Sequence, residues 1–295
     1  MRTLPALMLA AAVAAASSPA EGGPQYPWRD GPVAEQDTFA ARFPPPGGFS
    51  RRPCGPACEW LRGLPLRPGR PEVRLFDGRT KPNQAAHLAV VDVDVGRRDL
   101  QQCADEVLRL WAEERYARGA AGGLCVPLTS GAPLTWRRWA AGERPVVQGS
   151  SLHWQRRAAA DAGHAAFRRY LDFAFTYAGT ASVERYMVDR VPAADIRPGD
   201  LFVQGGFPGH AVVVVDVAEG PGGRRAFALA QSYMPAQDVH VLDNPAHPGS
   251  AWYELAEGDP LETPEWTFPA GSLARFRERP ARCPPEPPAQ APARR

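Results

Sequence analysis

The sequence predicts an α+β domain: an antiparallel sheet with helices packed on it. Two observations carry this. Helical periodicity falls early, mostly between residues 99 and 188, and strand-like runs joined by glycine turns follow one another late, between 201 and 233. A third bounds it: 295 residues, 44% hydrophobic, show no internal repeat and no second linker, so one domain over residues 49–278 is the simplest division.

The elements follow in order. Residues 59–63 suggest a short helix, and 72–76 alternate as a strand before the Asp77-Gly78 turn. Residues 88–95 form a β-rich run, with Asp92 and Asp94 on one face, as on an exposed sheet, and Val91, Val93 and Val95 on the other. Asp99 is expected to cap a helix, since Asp99-Leu-Gln-Gln102 is a capping-box pattern, and Leu100, Cys103, Ala104, Val107 and Trp111 follow at helical spacing. A second helix is expected over about 164–177, closed by Gly179, and a short third over 180–188. Pro198-Gly199-Asp200 turns the chain into a strand at 201–204. Gly205-Gly206-Phe-Pro-Gly209 turns it back into 210–217, and a Gly-rich connection leads to 226–233.

The ends read differently. Residues 1–20 have the parts of a secretory signal: Arg2, an apolar stretch at 4–16, and small residues up to Ala20. The expected location is therefore exported, periplasmic or extracellular. Residues 21–48 are Gly/Pro-rich and read as a linker, and the Pro/Ala/Arg-rich stretch 279–295 as a disordered tail. No later run is apolar and long enough to be an integral membrane segment. The net charge of +2 and the lack of basic residues interleaved with aromatics argue against a nucleic-acid partner. Lys81 is the sole lysine, which reads as composition bias.

Five cysteines in an exported chain allow two disulfides and leave one thiol. Cys54, Cys58 and Cys283 look peripheral, and Cys125 follows Gly122-Gly123; their connectivity is not readable. Cys103 differs because it lies in a helix pattern. Near a helix start, unpaired N–H groups and the dipole favour a thiolate. The same apolar stripe also suits an inert buried cysteine. His210 stands where a loop enters a strongly apolar strand, the place for a general base, or for a histidine bonded at a strand end. If the hairpin pairs symmetrically about its loop, His210 faces Tyr233 and Gln231 is the diagonal neighbour, with an amide oxygen to accept the imidazole Nδ1–H. A slip of one residue presents Ser232 instead.

Other signals are weaker. Asp238, His240, Asp243 and His247 cluster but match no zinc spacing, and no Gly-x-Ser-x-Gly or phosphate-cradling motif occurs, so no metal or cofactor is expected.

The strings VDVDVGRRDLQQCADEVLRL, FTYAGTASVERYM, GDLFVQGGFPGHAVVVVDVA, LAQSYMPAQDVHVL and TPEWTF resemble the bacterial family known as domain of unknown function 4846, which has no established activity. More loosely, the chain is similar to the papain-like cell-wall cysteine peptidases of the NlpC type. That resemblance implies a papain-like fold with Cys103 as nucleophile, His210 as base and Gln231 orienting the ring. Two departures stand out: the nucleophile string is Gln-Gln-Cys-Ala rather than Asp-Cys-Ser/Gly, and the interval to His210 is longer. The expected function is an exported cysteine peptidase or amidase acting on a cell-envelope amide such as a peptidoglycan peptide. The alternative is a non-catalytic envelope binding or assembly protein on the same scaffold.

Overall fold

The structure, a computed structural model, describes residues 25–284. The predicted signal 1–20 lies outside the described residues, as do 21–24 of the predicted linker and 285–295 of the predicted tail.

An antiparallel sheet of eight strands organises the chain. Its strands are β1 (His87–Val90), β2 (Val188–Arg190), β3 (Leu201–Gln204), β4 (His210–Glu219), β5 (Arg225–Gln231), β6 (His240–Leu242), β7 (Trp252–Glu254) and β8 (Leu273–Phe276). Their order is β1-β6-β5-β4-β3-β8-β2, with β7 pairing with part of β5. The mixed helix and antiparallel sheet is the expected α+β class. The run of four valines in β4 explains its central place: a strand buried on both faces has no need to alternate with polar residues.

Helices α1 (Pro56–Arg62) and α2 (Cys103–Ala117) cover one face, where Leu61, Val107 and Leu110 meet Ala211, Val213 and Val215. On the other face Val212, Val214, Phe227 and Leu229 lie under Ile196, Leu261 and Phe268, the latter two from a small hairpin. Helix α3 (His164–Tyr177) completes the helical layer through Phe167 and Tyr170, which pack edge-on to Trp136. No helix among the described residues is long and apolar enough to cross a membrane.

Several expectations are corrected. The segment 25–48 is packed rather than a linker: the buried Tyr26 donates to the Trp60 carbonyl at 2.8 Å, Trp28 Nε1 donates to the Asp92 carbonyl at 2.7 Å, and Phe39 is buried. Aromatic anchors in irregular chain leave no periodicity to read. At the other end, a disulfide joins Cys283 to Cys125 and the Ala281 N–H bonds to the Tyr186 carbonyl at 2.7 Å, so the start of the predicted tail is tied down. Residues 72–76 make only isolated bridges at Arg74 and Leu75, because Gly78, at φ +86°, folds the chain back at once. Asp92 and Asp94 are not merely solvated; they accept from Arg29 and Arg109 at 2.9 and 2.7 Å. Helix α2 begins at Cys103, four residues beyond the expected cap, because Asp105 Oδ2 accepts from the Gln102 N–H while Asp99 Oδ1 accepts from the Ala236 N–H.

Candidate active site

At the end of the sheet where β4 starts, a cleft of about 830 Å³ is lined by Cys103, His210, Phe207, Tyr233, Met234 and Trp266 among others. The turn that delivers His210 is built on glycine. Gly206 sits at φ +131°, and a Cβ on Gly209 would lie 2.6 Å from the Gly206 carbonyl and 2.8 Å from that of Gln204. Phe207 on this turn is 96% exposed and Met234 on the opposite loop 54%, so two large apolar side chains flank the opening.

The disulfides Cys54–Cys58 and Cys125–Cys283 leave Cys103 as the free thiol. As the first residue of α2 it sits with the unpaired N–H groups of a helix start, and its sulfur also faces the backbone N–H of Ala211, the residue after His210. These donors do not win. Burial pushes the thiol up to about 11, helped by the Asp105 carboxylate, and the N–H groups of Ala211, Ala104 and Cys103 only hold the shift back. The resting group is a thiol, which corrects the expected thiolate. Helix position was readable in the sequence; dehydration of the sulfur was not. Iodoacetamide should therefore label Cys103 about 100-fold more slowly at pH 7 than it labels an ordinary thiol, because the thiolate fraction falls tenfold per pH unit of displacement. Labelling as fast as free cysteine under those conditions would contradict this account of the sulfur's environment.

His210 is buried, and its Nε2 lies 2.8 Å from Gln231 Oε1. The nitrogen facing the amide is thus Nε2, not the expected Nδ1. The pairing itself depends on a bulge. Near the loop Val217 pairs with Phe227 and Ala218 with Ala226; beyond Val215 the register shifts, and Val213 pairs with Ala230. Continued toward the cleft, that register sets His210 opposite Tyr233, with ring centroids 4.8 Å apart, and Gln231 on the same face. Without the extra residue Ser232 would take that face. Instead Ser232 Oγ is 2.9 Å from the carbonyls of Gln101 and Gln237.

Trp266 and Phe268 pack on the His210 ring at 5.3 and 5.6 Å. Burial pushes the ring down to about 4, the Gln231 bond resists this, and the Lys81 charge adds to it. Cys103 reaches the cleft from the helical face and His210 from the opposite face; among the described residues no hydrogen bond joins them. Tyr233, whose ring lies 4.8 Å from that of His210, has its hydroxyl pushed up by burial, then by Glu265 and by Cys103.

Behind Gln231 lies a polar group that the sequence did not reveal. Gln231 Nε2 donates to Glu265 Oε2 at 2.8 Å and lies 3.3 Å from His240 Nε2, while Lys81 forms a salt bridge with Glu265. One signal was available: a chain with 34 basic residues keeps a single lysine, and it is buried here. The candidate metal group is otherwise engaged, since Asp238 pairs with Arg67 and Asp243 accepts from the Gly249 N–H.

The model of a family described as Domain of unknown function (4846) matches residues 39–275. No curated protein and no solved structure matches the chain.

Proposed function

The chain belongs to the family described as domain of unknown function 4846, a description that assigns no chemistry, and from the cleft itself we propose a cysteine hydrolase that cleaves an amide bond of the cell envelope. One observation carries the reading: a free thiol at the first residue of a helix and a buried imidazole held by an amide open onto the same cleft. The order of helix-start cysteine, strand-start histidine and polar residue on the next strand also supports the likeness to NlpC-type, papain-like enzymes.

The reaction starts from the neutral pair. As the Cys103 sulfur bonds to the substrate carbonyl carbon, His210 takes the thiol proton and the carbonyl π electrons move onto oxygen. Collapse of this adduct breaks the C–N bond, and His210 returns the proton to the leaving amine. Water then adds to the thioester, again giving its proton to His210. The sulfur leaves, taking that proton back from the ring, which releases the acid and restores the neutral pair. The Cys103 backbone N–H, which has no helical partner, is placed to donate to the oxyanion. In the free protein the two groups reach the cleft from opposite faces of the sheet, so the proton transfer requires the sulfur or the ring to move when substrate binds.

The cleft also describes its substrate. Phe207, Met234 and Trp266 favour an apolar acyl segment, and the exposed acidic residue of the lining is Asp99, which favours an uncharged or amine-bearing one. Asp105 is buried, and burial pushes its carboxyl well above the usual range. The predicted signal supports an envelope amide, including a peptidoglycan peptide. The test is to mix the protein with p-nitrophenyl hexanoate and read intact mass. A hexanoyl adduct should form on the wild type and be absent from Cys103→Ala. No adduct on the wild type, or one that survives the substitution, would leave a binding module in place of an enzyme.

A further inference from the structure

We propose that the buried Lys81–Glu265 pair, with His240, fixes the orientation of the Gln231 amide and so holds the His210 proton on Nε2, keeping Nδ1 as the lone pair that serves as base. The inference deepens the hydrolase reading and rests on it for the role of His210, but the tautomer exists whether or not turnover occurs.

The assignment follows from counting donors and acceptors around a fully buried amide. His240 Nδ1 lies 2.9 Å from the Asp238 carbonyl, which can only accept, so Nδ1 carries a hydrogen. Burial and the Lys81 charge push this ring well below the ordinary histidine range, so it is neutral and its Nε2 is a lone pair. Glu265 offers carboxylate oxygens, one contacted by Lys81 and the other accepting from Asn83 Nδ2 at 3.2 Å. Two acceptors, Glu265 at 2.8 Å and His240 at 3.3 Å, therefore face one end of Gln231, and only its NH₂ can satisfy them. The amide oxygen is left for His210. An oxygen that only accepts requires a hydrogen on His210 Nε2, and a neutral ring then has none on Nδ1.

Lysine suits this place better than arginine. Its compact charge reaches one carboxylate oxygen while remaining 5.5 Å from the Tyr233 ring, where a guanidinium fork would demand a second acceptor. Lys81 and Glu265 are positioning residues: they act on His210 through Gln231.

Long-range ¹H–¹⁵N correlation spectra of the histidine rings in the full chain test this directly. At pH 7 His210, identified by its loss in His210→Gln, should show the Nε2–H pattern, and His240 in the same spectrum the opposite, Nδ1–H pattern. In Glu265→Leu the His210 pattern should become a mixture of tautomers, and kcat on the hexanoyl ester should fall while KM holds. Glu265→Gln keeps an acceptor oxygen and should restore the single pattern. An Nδ1–H pattern at His210 in the wild type would overturn the proposal even if Glu265→Leu failed to fold. So would a Glu265→Leu spectrum unchanged from wild type. A protein with the expected tautomers but no acyl adduct would instead sink the hydrolase reading alone.

Discussion

Replacing His210 by alanine should slow acylation of Cys103 by about 10² to 10⁴, the ordinary worth of a positioned base. The remaining rate should climb about tenfold per pH unit toward the thiol's own value of about 11. The two halves share one cause. A sulfur this dehydrated supplies almost no thiolate at neutral pH, so either the ring removes the proton as the bond forms or hydroxide does so beforehand. The wild-type rate should be level across the neutral range, because the His210 ring, pushed down to about 4, is already free to accept a proton there. Initial rates of nitrophenol release across pH 6.5 to 10 measure both profiles. A flat profile in His210→Ala, or an equal slope in both proteins, would remove the ring from the proton transfer. Acid conditions are unsuitable for another reason. The unfolded chain takes up a proton near the ordinary pKa of about 6.5 that folded His210 refuses until about 4, so stability drops as pH falls through that window.

Much of the sheet was legible because its residues state their own burial. The valines of β4 and the glycine turns on either side of β3 are strong local signals, and helix α3 occupies the expected residues, His164–Tyr177. Placing Gln231 beside His210 was also legible, though by a route that simple symmetry does not describe. The loop end of the hairpin is one residue out of the symmetric register, and the bulge at Val215 restores it at the cleft. What could not be read depends on distance and dehydration. Lys81 and Glu265 meet across 184 residues, each from irregular chain. Tyr26 and Phe39 are core residues in a stretch whose prolines and glycines conceal them. The sulfur of Cys103 has a helix start that favours ionisation and a packed environment that forbids it, and only the three-dimensional structure shows which prevails.

Asp216→Ala should destabilise the fold by ~3–5 kcal/mol, the cost of leaving a buried charge without its partner. The carboxylate is fully buried in the middle of β4, accepting from Arg62 Nε at 2.8 Å and Arg51 Nε at 2.6 Å. Strict alternation would set Asp216 on the face of Val212 and Val214, away from the helices. The extra residue at Val215 turns it instead to the helical face, where it fastens α1 and the segment before it to the sheet. Arg62 is itself buried; its other N–H groups go to the Arg52 and Val217 carbonyls and to Glu59, whose carboxylate is half exposed. Loss of Asp216 therefore removes the buried partner and leaves only that outer one. Urea unfolding measures the loss, and Arg62→Met separates its sources. If the cost is the stranded guanidinium, Asp216→Ala should be milder in that background by ~1–3 kcal/mol, whereas purely additive losses would assign it to packing around the bulge. The same bulge sets the register that brings Gln231 to His210, so the ion pair that anchors the helices also stabilises the strand geometry on which the proposed base depends.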